Sequence, residues 1–314
     1  MKFKKILVTG FSKAELSEKS QKELSKLSDN IVFSALDDPN LPKERADADC
    51  LLAKFNAVTK GDIQTSPNLK YIGVLSTGYG KVDVSFAKNK GVVVTNVPGY
   101  STESVAEFVF AAILENLRDL ERAKNQARKG DYSEASFKAG EIKGKNFGII
   151  GLGRIGTRVA KLAQGFDANV SYWSKTRKKN LEKAGIKYQN LEDLISEADF
   201  LSLHLALNSQ TENFLNQNLI NKIKYGALII NTAPMELIDL SALEKRLDAK
   251  NITFILDHSD EMKPEDLKSL SQYKNCIVYP PIAYISEEAK DAKQEIFLQN
   301  IENFLKGKPT NVVN

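Results

Sequence analysis

Phe147-Gly148-Ile149-Ile150-Gly151-Leu152-Gly153-Arg154-Ile155-Gly156 is an apolar run that passes straight into a GxGxxG turn, with Val159, Leu162 and Ala163 following at helical spacing. Strand, glycine turn and helix in this order form the dinucleotide-binding fingerprint, in which each glycine has its own task. Gly151 permits the tight turn, Gly153 lets a pyrophosphate approach the main chain, and Gly156 lets helix and strand pack closely. Arg154 and Ile155 fall in the first helical turn, whose unpaired N–H groups suit an anion. A glycine-rich turn without a ligand is the alternative that the motif alone leaves open.

The next apolar run, Asn169 to Trp173, ends at Ser174, where an NAD-specific site would place an acid to hold the ribose hydroxyls. Lys175, Thr176, Arg177, Lys178 and Lys179 follow, with no acid before Glu182. Hydroxyls and cations at this point suit a 2′-phosphate. NADP(H) is therefore favoured over NAD(H), and a solvated basic turn is the other reading.

The same texture extends in both directions. Lys5 to Thr9, Asn30 to Ala35, Cys50 to Ala53, Tyr71 to Leu75 and Val92 to Val94 are short apolar runs without polar alternation, as are Phe200 to Leu205, Ala227 to Asn231 and Ile252 to Asp257. Such runs predict parallel sheets buried on both faces, hence an α/β fold in two domains. Charged segments at Ser12 to Leu27 and Val84 to Lys90 read as helices, and Lys60-Gly61-Asp62 as a turn. Val105, Phe108, Val109, Ala112, Ile113, Leu117 and Leu120 share one helical face, which predicts a long helix from Thr102 to Arg128 between the two halves. The last helix is expected at about Glu287 to Leu305.

Composition narrows the function classes. With 314 residues, 42% of them hydrophobic, the chain can bury proper cores. A net charge of +4 does not by itself argue for nucleic acid, which usually leaves a concentrated basic patch, so no nucleic-acid partner is expected. No uncharged run reaches the ~20 residues of a membrane span. Cys50 and Cys276 lie far apart and outside any CxxC spacing, so no thiolate metal site is expected and a reducing cytoplasm fits. Histidine is scarce: only His204 and His258 could offer an imidazole as acid or base.

Several stretches together resemble the D-isomer-specific 2-hydroxyacid dehydrogenases, on the glycerate dehydrogenase and hydroxypyruvate reductase branch. They are Asn68 to Gly73, Ser76-Thr77-Gly78-Tyr79-Gly80 with Val82-Asp83, Val94 to Glu107, the GxGxxG unit, Ser202-Leu203-His204, Ile229 to Ala233, Leu256-Asp257 and the tail from Lys274 to Val278 and Gly307 to Asn314. The resemblance implies two Rossmann-like doubly wound domains. A flavodoxin-like substrate domain would comprise residues 1–99 and 285–314, and an NAD(P)-binding Rossmann domain residues 100–284. It also implies a homodimer through the nucleotide domain and a small anionic ligand in an interdomain cleft. The backbone at Gly78, Tyr79 and Gly80 would hold the ligand's carboxylate, with Lys54 nearby. Thr102, Thr232, Ala233 and Asp257 would lie near the nicotinamide, and His204 would be structural or beside the cofactor.

The resemblance breaks where chemistry should occur. Hydride transfer to a keto carbon puts negative charge on its oxygen, which calls for a proton donor and a cation or dipole. The positions at which the family carries its arginine, glutamate and histidine are here Pro234, Met262 and Pro281. No catalytic residue is therefore assigned. His258 directly follows Asp257, and alternation along a strand would turn it away from a nicotinamide that Asp257 faces. Glu236, Asp260, Glu261 and Tyr284 join Lys54 and Tyr79 as further candidates for the cleft. The first expectation is a cofactor-binding sensor or regulatory protein without ordinary hydride transfer. Altered chemistry on a small anionic substrate is the second reading, and a weak NADPH-dependent reductase of glyoxylate or hydroxypyruvate the third.

Overall fold

The computed structural model describes residues 2–259 and 262–314, which form two compact units, Met1–Ser101 with Ser286–Asn314, and Thr102–Ile285. The first unit contains β1 (Ile6–Thr9), α1 (Glu18–Leu27), β2 (Ile31–Ser34), α2 (Leu41–Asp47), β3 (Cys50–Ala53), α3 (Lys60–Gln64), β4 (Tyr71–Val74), α4 (Val84–Asn89) and β5 (Val93–Thr95). The second contains α5 (Thr102–Arg118), α6 (Leu120–Arg128), β6 (Asn146–Ile150), α7 (Arg154–Gly165), β7 (Asn169–Trp173), α8 (Lys179–Glu182), β8 (Lys187–Tyr188), α9 (Leu191–Glu197), β9 (Phe200–Leu203), α10 (Gln217–Lys222), β10 (Leu228–Asn231), α11 (Leu240–Asp248), β11 (Thr253–Leu256), α12 (Pro264–Leu270) and β12 (Cys276–Val278). Helix α13 (Glu287–Leu305) returns to the first unit.

Both sheets are parallel and doubly wound, as the apolar runs and the family resemblance predict. In the first unit the strand order is β2-β1-β3-β4-β5, the flavodoxin-like arrangement. Ile6 and Val8 face one core with Tyr71, Phe297 and Ile301, while Leu7 faces the other with Leu51, Ile72 and Val94. Burial on both faces is what removes polar alternation from these strands. The C-terminal tail closes this unit, with Val312 bridging Thr95 antiparallel and the Val313 N–H donating to the Val94 carbonyl.

The second sheet runs β12-β11-β10-β9-β6-β7-β8, a Rossmann order extended by one strand. Its strands again alternate between two cores: Phe147 and Ile149 face one with Tyr172, Ile230 and Ile255, whereas Ile150 faces the other with Leu201, Ile229 and Phe254.

Four local expectations need correction. The helix expected over Thr102 to Arg128 breaks at Asp119, whose left-handed φ of 49° ends α5, so Leu120 lies beyond the apolar face and is 44% exposed. Lys60 to Asp62 opens a helix rather than a turn, because the Thr59 hydroxyl accepts the Asp62 N–H and the Asp62 carboxylate accepts the Thr59 N–H. Ser12 to Leu27 is not one helix: a short 3₁₀ turn at Lys13–Glu15 precedes α1, which Ser17 caps. Finally, β11 ends at Leu256, so strand alternation does not govern Asp257 and His258.

Candidate functional site

In the second unit, β6 delivers the chain to Gly151 at φ 96°, where a Cβ would lie 2.6 Å from the His204 carbonyl oxygen. Only glycine fits that turn. At Gly156 a Cβ would come within 2.1 Å of the Gly151 carbonyl oxygen, so the close approach of α7 to the turn also requires glycine. Gly153 differs, because a Cβ there would meet nothing within 4 Å. Its bare face opens on space, and it caps α7 with no side-chain hydrogen bond, leaving the N–H groups around Arg154 and Ile155 without a side-chain cap. An open backbone at the start of a 12-residue helix is the arrangement that an anionic pyrophosphate needs.

Beyond β7 the basic turn is partly self-satisfied. The Ser174 hydroxyl donates to the Thr176 carbonyl at 2.6 Å, and Lys175 Nζ donates to Gln210 Oε1 at 2.9 Å. Arg177 grips Glu182 with Nε and a terminal nitrogen and lies 4.7 Å from the centre of the Tyr188 ring. Tyr172 donates its hydroxyl to the same Glu182 carboxylate, and that hydroxyl accepts the Lys178 N–H. The Arg177 hydrogen bond, the largest influence, holds the Glu182 carboxyl below the usual carboxylate range.

At the end of β10 the Asn231 side chain, fully buried, accepts the Ala233 N–H and donates to the Ala233 carbonyl. This fixes the Thr232 turn. The Thr232 hydroxyl is buried and has no hydrogen-bond partner among the described residues, the condition of a polar group left for a ligand. These features, with the open Gly153 face, fit a dinucleotide.

Asp257, 2% exposed, accepts the N–H groups of Ile282 and Ala283 on Oδ1, at 2.9 and 3.0 Å. From the other side the Ser104 hydroxyl of α5 donates to the Ala283 carbonyl. The segment carrying Pro280 and Pro281 is thus held at two points near the start of α5, where Thr102 lies. Met262 packs against the core cluster that includes Leu256 and Leu270, and Pro234 precedes the 3₁₀ turn Met235–Leu237, so neither position presents a charged group. His204 shares a 2.7 Å hydrogen bond between Nε2 and the Ser202 hydroxyl, and burial pushes its imidazole down to about 3. It is neutral near pH 7 and unsuited to donate a proton there. Asp260 and Glu261 lie outside the described residues.

The residues expected to bind the substrate belong to the first unit. Gly78 and Gly80 each face open space, and Tyr79 between them is exposed. Their loop is anchored by the Ser76 hydroxyl on the Gly78 carbonyl, by Asn96 Nδ2 on the Thr77 carbonyl and by the buried Asn300 Nδ2 on the Asn96 carbonyl. Lys54, at the end of β3, is ion-paired with Glu15. The sequence reading overlooked Lys293 of α13, whose Nζ lies 5.4 Å from the centre of the Tyr100 ring, and it passed over Glu182 as the partner of Arg177.

Residues 110–283 match the D-isomer specific 2-hydroxyacid dehydrogenase, NAD binding domain. The chain belongs to this family. Over 305 residues it is 33% identical to the hydroxypyruvate reductase of Blautia hydrogenotrophica, which covers 93% of this chain and 94% of that one. A solved acyclic imino acid reductase in complex with NADPH and D-Arg is similar at a TM-score of 0.84 and 28% identity, covering 98% and 100% of the two chains. D-lactate dehydrogenase from Aquifex aeolicus, complexed with NAD and lactic acid, is similar at 0.83 and 27%, covering 96% of each. The solved structures similar to this chain thus include one complexed with NAD and one with NADPH. Among the described residues no helix is long and apolar enough to cross a membrane.

Proposed function

We propose that the protein is a slow NAD(P)-dependent reductase of small 2-oxo acids of the glyoxylate and hydroxypyruvate kind, favouring NADP(H). The observations that support this reading are the glycine turn with Gly153 open and the unsatisfied Thr232 hydroxyl, in a chain aligned along almost its full length with a hydroxypyruvate reductase. That alignment supports reduction over a purely sensing role.

The cofactor, when bound, supplies the hydride. Gly151, Gly153, Arg154, Ile155 and Gly156 would hold its pyrophosphate, and Ser174, Lys175, Thr176 and Arg177 its ribose 2′ side. Thr102, Thr232, Ala233 and Asp257 would border the nicotinamide. Gly78, Tyr79 and Gly80 would bind the substrate carboxylate through their backbone, with Lys54 as the nearby cation. Slowness follows from Pro234, Met262 and Pro281. An enzyme deprived of its general acid loses ~10²–10⁴ in rate, and loss of an oxyanion donor costs ~10²–10³. The same three residues are the specific observation favouring the sensor reading as an alternative. Self-association through the nucleotide unit, where α6 buries none of its residues, belongs to the proposal. So does a cytoplasmic location, which suits the buried free thiols of Cys50 and Cys276.

Titrating the protein with NADPH and NADH, and then following cofactor oxidation after hydroxypyruvate is added, separates the two readings. Binding with oxidation supports the reductase, whereas binding without oxidation supports the sensor.

A further inference from the structure

In the first unit the winding direction reverses between β1 and β3, and in open α/β sheets ligands bind outside the carboxyl ends of strands at such a point. Two lysines border the Glu15 turn there, Lys54 through its ion pair with Glu15 and Lys293 as the neighbour of Gln294, which donates to the Glu15 carbonyl. Lys54 follows β3 directly, and Lys293 comes from the second turn of α13, half-buried, with Nζ near the Tyr100 ring. The exits of β1 and β3 are in close contact: a Cβ on Gly10 would lie 2.4 Å from the Lys54 carbonyl oxygen.

Among the described residues, one carboxylate is ion-paired with these cations. Glu15 pairs with Lys54, and its turn is fixed by the buried Gln294, which accepts the Ser17 N–H at 2.9 Å and donates to the Glu15 carbonyl at 3.1 Å. Lys290, one turn before Lys293, is already paired with Glu287. Lys293 has no ion pair among the described residues. Burial, and next the neighbouring Lys54 charge, make its ammonium easier to deprotonate than an ordinary lysine, while Glu15 opposes the shift only in part. A partly desolvated cation facing a second cation is costly by itself, and an anion relieves the cost.

The Gly78-Tyr79-Gly80 loop follows β4, the strand next to β3, and neighbouring strands are ~4.8 Å apart. A substrate with its 2-oxo acid carboxylate at that loop would therefore extend toward the lysines. We propose that Lys54 and Lys293 form a subsite for a second anionic group, so that the preferred substrate is a 2-oxo acid bearing a distal carboxylate or phosphate. The proposal rests on the reductase reading and narrows its substrate class. Lys54 would exchange Glu15 for the incoming anion, and Lys293 would complete the clamp.

Equilibrium binding by calorimetry, with reduced cofactor present, tests the subsite independently of turnover, because a 2-hydroxy acid cannot accept hydride. The probes are D-lactate, D-malate and 3-phospho-D-glycerate. At least one of the two probes with a second anionic group should bind on the order of tenfold more tightly than D-lactate, and which one does so tells carboxylate from phosphate. Lys293→Met should reduce that ratio to about twofold or less while leaving D-lactate affinity unchanged, and Lys293→Arg should retain it. Equal affinities for all three probes, or a Lys293→Met variant that weakens all of them alike, would overturn the subsite and leave the reductase reading standing. If the cofactor binds and none of the three acids does, both fall.

Discussion

Asp257 ties the end of β11 to Ala283, accepting the Ala283 N–H at 3.0 Å on the same oxygen that accepts the Ile282 N–H. A buried carboxylate committed in this way holds the segment where the family keeps its histidine, and it does so although that position is Pro281. Asp257→Ala would leave the buried Ala283 N–H without this acceptor, at a cost of ~1–3 kcal/mol, while the Ile282 N–H keeps the Pro280 carbonyl. Thermal unfolding should shift down markedly, and hydrogen exchange at residues 282 and 283 should accelerate. Asp257→Asn keeps an acceptor oxygen and should lose less.

Gly153 and Gly156 separate cofactor binding from folding. Gly156→Ala drives a Cβ into the Gly151 carbonyl and should lower the melting temperature. Gly153→Ala meets nothing within 4 Å and should melt like the parent. It should nevertheless weaken NADPH binding by about tenfold or more, because the new methyl stands where the pyrophosphate approaches. Unchanged affinity in a folded Gly153→Ala protein would remove the phosphate from this turn.

Glu182 competes for the Arg177 fork that would otherwise be free for a 2′-phosphate. Glu182→Gln preserves the shape and a partner for Tyr172 but releases the charge on Arg177. NADPH affinity, read by nicotinamide fluorescence, should rise several-fold, with NADH affinity little changed. A parallel gain for both cofactors would show that Arg177 does not read the phosphate.

The His204 imidazole, which burial pushes down from 6.5 to about 3, makes stability depend on acid. Between those values the unfolded chain binds a proton that the folded chain refuses, so this residue's share of stability falls as pH drops through the window. His204→Gln removes the titration. Its stability should decline less steeply with acid between pH 6 and 4, by up to about 1.4 kcal/mol per pH unit, in urea unfolding at each pH.

The strands were the most legible part of the fold. Cys50–Ala53 coincides with its apolar run because burial on both faces leaves an uninterrupted hydrophobic stretch, and Asn169–Trp173 could be read although only Val170 and Tyr172 of it are buried. β8 carries no such run and β12 only the three residues Cys276–Val278: both are short and incompletely buried, and their place is set by pairing with β7 and β11. The break at Asp119 was hidden because apolar periodicity continues through Leu120 while the backbone turns left-handed. At the site, the glycine roles could be read from spacing, since they depend on the local chain. The grip of Glu182 on Arg177, of Asp257 on Ala283 and the meeting of Lys293 with Tyr100 could not, because folding brings those partners together and no local periodicity records them.

The most direct measurement of the central claim is the steady-state oxidation of NADPH and NADH by the purified protein with hydroxypyruvate and glyoxylate, followed by absorbance. Slow, protein-dependent turnover, faster with NADPH and weakened in parallel with cofactor affinity in Gly153→Ala, is the expected result. Tight cofactor binding with no turnover on either acid would contradict a reductase and leave a protein that only senses its nucleotide.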